Sequence, residues 1–265
     1  MQLRGKIVIV TGAARGIGKA LATRFAQEDL RGLLIADIDG DRAAAVAQEL
    51  GALAEQCDVS REQDLQRVIE RARATWGEID LFCSNAGFIR VDPDPQNAAS
   101  ASDEDFERSW RVHVMAHVYA ARALLPGMIA RGSGYFLNTV SAAGLLNQIG
   151  SATYSATKHA ALGFAESLAI THYDQGIRVS VLCPQAVRTE LFAPGPEGAA
   201  AAADGILEPE EVAEITVAGL RDERFLILPH PQVLQYMQRK AGDYERWIGG
   251  MVRFRRKIMA SAGVK

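Results

Sequence analysis

The chain has 265 residues, of which 48% are hydrophobic and 23% charged, with a formal net charge of −3. That length suits one α/β domain, and the mildly acidic balance offers no general attraction to nucleic acid. No apolar run approaches the ~20 residues needed to cross a bilayer.

Strand and helix signals alternate through residue 228. Short apolar runs predict strands over 6–11, 32–37, 52–57, 79–84, 134–140, 177–183 and 225–228. Helical periodicity marks 16–29, 40–50, 61–76, 103–131, 152–175 and 209–221. The strand runs are continuously apolar rather than alternating, as in strands covered on both faces. They predict a doubly wound parallel sheet of about seven strands, Rossmann-type, with helices on both sides. Ser102-Asp-Glu-Asp105 reads as a helix-start box, and Pro209-Glu-Glu211 as another helix N-terminus.

The first strand leads into Thr11-Gly12-Ala-Ala-Arg15-Gly16-Ile17-Gly18 and then into a helix. Strand, glycine turn and helix in that order form a dinucleotide-binding unit. Gly12 makes the tight turn, while Gly16 and Gly18 let backbone approach closely, with pyrophosphate on the helix N-terminus. Asp37, followed by Ile38, ends the second strand about 20 residues later, where a carboxylate reads ribose hydroxyls. A 2′-phosphate would meet a like charge there, which favours NAD over NADP. Arg15 is the counter-signal, since a guanidinium can hold a phosphate.

Further along stand Ser141, Tyr154 and Lys158. A Tyr and a Lys four apart share one helix face. An ammonium there is expected to favour the phenolate, lowering the phenol from its ordinary value of about 10 and fitting it for proton exchange with an alcohol or ketone.

Two segments leave the alternation. Residues 190–207 read as a substrate lid in which Leu191 and Phe192 touch an apolar substrate. From Pro229 onward, Val233, Met237, Ala241, Tyr244, Ile248 and Met251 recur at helical spacing, predicting a C-terminal amphipathic helix over 229–265 within the same domain. That tail carries eight Lys/Arg against two Asp/Glu, a balance of +6 in a chain of net −3, leaving −9 elsewhere. It is read as a solvated face on a helix that packs against its own or a neighbouring subunit. Cys57, Cys83 and Cys183 each end an apolar run and read as reduced buried thiols. The five histidines show no ligand spacing, so no metal is expected. With no signal segment before the first strand, a cytoplasmic location is expected.

Together these motifs resemble the short-chain dehydrogenase/reductase family, in its single-domain branch, from residue 3 to about 228. The resemblance implies that Cys57-Asp58-Val59 ends the adenine-contacting strand, with Asp58 on the adenine amino group. It implies that Asn85-Ala86-Gly87 steadies the central sheet, and that Pro184, Val187 and Thr189 belong to the turn holding the nicotinamide amide. Ser141, Tyr154 and Lys158 match the catalytic trio: Tyr154 as acid/base, Ser141 orienting the substrate oxygen, Lys158 also binding the nicotinamide ribose. Relatives commonly form dimers or tetramers, so a homo-oligomer is expected.

The chain departs from that pattern at two positions. His113 stands where relatives carry an Asn that holds a water chain to the Lys; His113 either holds that water through its carbonyl, joins the relay itself, or simply packs. Gln185 replaces a Gly after Pro184 and would project toward the substrate. Phe88, Leu145, Leu146, Ile149, Ala186, Leu191, Phe192 and Tyr236 are expected to line an apolar pocket, with Gln148, Asn147, Gln185 and Arg90 as polar contacts. The expected activity is NAD-dependent hydride transfer with a secondary alcohol or ketone of medium or large apolar body. The alternatives are an NADP-dependent carbonyl or oxoacyl reductase and a catalytically idle dinucleotide-binding scaffold.

Overall fold

In the computed structural model, residues 1–191 and 196–261 are described. Seven parallel strands form one sheet in the order β3-β2-β1-β4-β5-β6-β7: β1 Ile7–Thr11, β2 Gly32–Asp37, β3 Leu53–Gln56, β4 Leu81–Ser84, β5 Gly134–Thr139, β6 Ile177–Leu182 and β7 Leu226–Ile227. The strand order reverses between β1 and β4, where Val8 pairs with Leu81 and Val10 with Cys83. Ligands of open α/β sheets bind at such a reversal, outside the carboxyl ends of the strands.

The alternating faces of β1 explain why its sequence shows no polar side. Ile7 and Ile9 pack under α3 (Glu62–Trp76), α5 (Ala116–Ala130) and α6 (Ala152–His172). Val8 and Val10 pack under α1 (Gly16–Ala26), α2 (Gly40–Leu50) and α8 (Pro209–Arg221). Both faces are dry, as a parallel sheet requires.

The long helix expected over 103–131 is interrupted. It runs as α4 (Asp103–Trp110), one π turn over Arg111–Met115, and then α5. Single π turns inside helices frequently mark functional sites, and this one carries His113. Six residues of the lid segment are helical, α7 Pro196–Ala201, while Phe192 lies outside the described residues.

The tail differs from its expected register. It forms two helices, α9 Gln232–Gly242 and α10 Tyr244–Ser261, broken at Asp243, whose extended backbone and carboxylate start the second helix by accepting the Arg246 N–H. The break rotates the buried stripe. Ala241, Tyr244 and Ile248, expected inside, are exposed, the last two by 56% and 50%, whereas Met251 faces inward as expected and is joined there by Trp247, Phe254 and Ile258. No helix among the described residues is long and apolar enough to cross a membrane.

Candidate active site

The glycine turn is built so tightly that only hydrogen fits. A Cβ on Gly18 would sit 2.0 Å from the Gly12 carbonyl oxygen, and one on Gly12 2.6 Å from Ala86 Cα. Asn85 ties the turn to the sheet: its amide donates to the carbonyls of Thr11 (3.1 Å) and Gly12 (3.2 Å), and its oxygen accepts from the Thr139 hydroxyl (3.0 Å). Beyond the turn, α1 begins with no side-chain cap and no acid in its first turn, whereas α2, α4 and α8 are capped by their own side chains and carry acids there. The open N–H groups of α1 fit a pyrophosphate. At the end of β2, Asp37 is buried, with Oδ2 accepting the Ala14 N–H and Oδ1 the Asp39 N–H, 3.0 Å each. A carboxylate has about four acceptor positions, so Asp37 keeps capacity for a ribose. Asp58 is steadied by Ser60 at 2.7 Å.

One cavity of about 820 Å³ runs across the strand ends. Gly12, Arg15, Gly16, Ile17, Gly18, Asp37, Ile38, Cys57, Asp58, Val59, Asn85, Ala86, Gly87, Pro184, Val187 and Thr189 all line it, together with Ser141, Tyr154 and Lys158. The cofactor and Ser–Tyr–Lys residues expected from the sequence are therefore brought together, whereas His113 is not among the lining residues and Phe192 lies outside the described ones. Gln148, Asn147, Gln185, Phe88, Leu146, Ile149, Ala186, Leu191 and Tyr236 also line it. Leu145 and Arg90 do not; Leu145 is buried in the core and Arg90 pairs with Asp105 at 2.9 Å. Trp247, Met251 and Phe254 of α10 add an apolar wall that the sequence reading did not assign. Their three- and four-residue spacing was legible, but which face turned inward was not.

Tyr154 and Lys158 share the buried face of α6 as expected, with the Lys158 ammonium 5.5 Å from the Tyr154 ring centre. Lys158 Nζ donates to the Thr139 carbonyl at 2.9 Å. Ser141, at φ 128°, occupies a strained backbone region and turns its hydroxyl toward the Tyr154 phenol. The Ala143 N–H holds that hydroxyl at 3.1 Å.

The electrostatics correct one expectation. The phenol of Tyr154 is raised, not lowered: burial pushes it up and the Ser141 hydrogen bond only partly opposes this. Lys158 is itself buried, which pushes its amine down to about 8 and weakens the charge it offers. Desolvation disfavours the charged form of both groups, and it wins here. The thiol of Cys183 is pushed up to about 12 by burial and has no nucleophilic character.

His113 sits edge-on to Tyr154, their ring centres 5.5 Å apart. Its Nδ1 lies 2.9 Å from the Thr157 hydroxyl, which donates onward to the Thr153 carbonyl at 2.7 Å and so accepts from the imidazole. Its Nε2 accepts the Phe88 N–H at 3.3 Å. Both nitrogens are engaged, and burial together with the Lys158 charge holds the ring neutral.

The profile of short chain dehydrogenases matches residues 6–199 of the chain. The chain belongs to the short-chain dehydrogenase family. Among curated relatives, 1-deoxy-11-beta-hydroxypentalenate dehydrogenase of Streptomyces exfoliatus is 35% identical over 233 residues, covering 86% of this chain and 84% of the relative. Epidermal retinol dehydrogenase 2 of Mus musculus is 34% identical over 238 residues, 85% of this chain and 74% of the relative. Among solved structures, a short chain dehydrogenase/reductase from Burkholderia phymatum in complex with NAD superposes with a TM-score of 0.83 at 27% identity, covering 92% of this chain and 96% of that one. Short-chain dehydrogenases bind NAD(H) or NADP(H), and the uncapped helix, the hydrogen-only glycine turn and the buried Asp37 described above fit such a dinucleotide. This short-chain dehydrogenase is thus an oxidoreductase of small molecules.

Proposed function

We propose that the protein is an NAD-dependent dehydrogenase of an apolar secondary alcohol, or reductase of the matching ketone, with Tyr154 as the general acid/base. The observation that carries this reading is the convergence of Ser141, Tyr154 and Lys158 in the same cleft as the glycine turn and Asp37. When bound, the nicotinamide supplies the hydride acceptor and, in its oxidised form, a positive charge. Ser141 donates to the substrate oxygen and orients it. Tyr154, neutral in its buried setting, gives its proton to the oxygen in ketone reduction; in alcohol oxidation it acts as the phenolate and takes the alcohol's proton. Lys158 stabilises the phenolate and contacts ribose. His113, with no nitrogen to spare, is read as a positioning residue that packs against the Tyr154 ring.

Asp37 favours NAD, because a 2′-phosphate beside it would bring a like charge into a buried site. The apolar wall of Phe88, Ile149, Trp247, Met251 and Phe254 favours a medium or large hydrophobic substrate. The hydroxypentalenate and retinol dehydrogenases among its relatives support that reading. A cytoplasmic homo-oligomer, dimer or tetramer, is proposed by family resemblance.

A panel of secondary alcohols with NAD, followed by absorbance of the reduced cofactor, tests the reading directly. The expected result is turnover of bulky apolar carbinols and a loss of about a thousandfold in Tyr154→Phe with NADH binding retained, the scale of acid/base catalysis. Full activity in that variant would remove Tyr154 from the chemistry.

A further inference from the structure

Glu190 has no part in the mechanism above, yet its carboxylate lies between two guanidiniums from distant parts of the chain. Its Oε2 is 2.5 Å from Arg15 Nη1, in the glycine turn, and its Oε1 is 3.2 Å from Arg42 Nη1, on α2. Arg42 also reaches Asp39 at 3.4 Å, directly after the end of β2. Arg15, Asp37, Ile38 and Glu190 line one stretch of the cleft, the stretch where the acid at the end of β2 reads the ribose. Three carboxylates, Asp37, Asp39 and Glu190, therefore face two guanidiniums. Guanidiniums are the side chains best shaped to take a phosphate, and here both are taken by a carboxylate of this same chain.

We propose that Glu190 is a second determinant of cofactor choice. By occupying Arg15 and Arg42 it denies a 2′-phosphate the two cations that would hold it, and it adds the charge that makes the cluster net negative. An unphosphorylated ribose needs neither guanidinium and is left to Asp37. This rests on the NAD reading above and extends it: selectivity comes from an acid that repels and from a second acid that keeps two cations engaged. Each pair alone is half exposed and weak. The effect arises because one carboxylate answers both cations.

The test is equilibrium binding of NADH and NADPH to the full-length protein, read by nucleotide fluorescence or calorimetry without turnover, in wild type, E190Q and the double variant R42A/E190Q. Wild type is expected to bind NADH more tightly than NADPH. E190Q should tighten NADPH by about tenfold, the scale of a freed charge-assisted contact, and move NADH less than twofold. R42A/E190Q should lose most of that gain. NADH binding in each variant reports that the fold is intact. Unchanged NADPH affinity in E190Q, with NADH preference intact in wild type, overturns the role of Glu190 alone. A gain that survives R42A overturns the occupancy argument. Equal binding of both dinucleotides by wild type overturns the NAD reading and, with it, any selection by Glu190.

Discussion

Lys158 is 3% exposed, and holding an ammonium there is unfavourable for the fold. Its amine falls from 10.5 to about 8, a shift worth about 3 kcal/mol at 1.36 per unit. Between pH 8 and 10.5 the unfolded chain binds more protons at this site, so stability rises with pH across that window; below 8 the penalty is fully in place. Against it stands one hydrogen bond to Thr139, worth about 1 kcal/mol. Lys158→Met is therefore expected to stabilise the protein by about 2 kcal/mol at neutral pH while abolishing turnover. Denaturant unfolding at pH 7 and again above pH 10.5 checks this, since the gain should vanish at the higher pH. Ser141 tells the same story in backbone form: a strained φ persists because it aims the hydroxyl at Tyr154.

Among the elements, the contact between α9 and the turn after Ser141 is specified by a single side chain. Lys240 Nζ donates to the carbonyls of Leu145 and Leu146, 2.9 Å each, and to His159 Nε2 at 3.2 Å. His159 Nδ1 donates to the Ser155 carbonyl at 2.8 Å, which leaves Nε2 bare to accept. All three ammonium protons are matched, and one side chain pins the C-terminal extension to the wall that carries Leu146, Gln148 and Ile149. Lys240→Met is expected to raise KM for apolar alcohols about tenfold, the scale of losing a charged hydrogen-bonded group, with kcat changed far less and NADH affinity unchanged. Steady-state kinetics and NADH titration separate these. A fall in kcat alone would place Lys240 in the chemistry instead.

At the scale of the whole molecule, the sheet gathers residues from all parts of the chain at one edge. Gly12 follows β1, Asp37 ends β2, Asn85 follows β4, Ser141 follows β5 and Pro184 follows β6. Parallel strands force this, because every strand delivers its carboxyl end to the same side. The C-terminal helices then add Tyr236, Trp247, Met251 and Phe254 to the wall of the cleft. Trp247→Ala is expected to weaken apolar substrates about tenfold in kcat/KM, in line with the 1.5–3 kcal/mol or so of a buried large side chain, and to leave a small secondary alcohol unaffected. Comparing a bulky and a small carbinol on the variant checks it.

Much of this was written in local sequence. The strand ends, the helices over 40–50 and 209–221, the glycine turn and the Tyr154–Lys158 spacing follow from period, glycine placement and capping, which act within a few residues. The π turn at His113 and the shifted stripe of α10 did not: His113 is fixed by Phe88 and Thr157, far along the chain, and the stripe turns on one extended residue, Asp243, whose backbone no periodicity marks. The sign of the Tyr154 shift belongs with them. A helix repeat places an ammonium beside a phenol, but only the packed interior decides that desolvation outweighs their attraction.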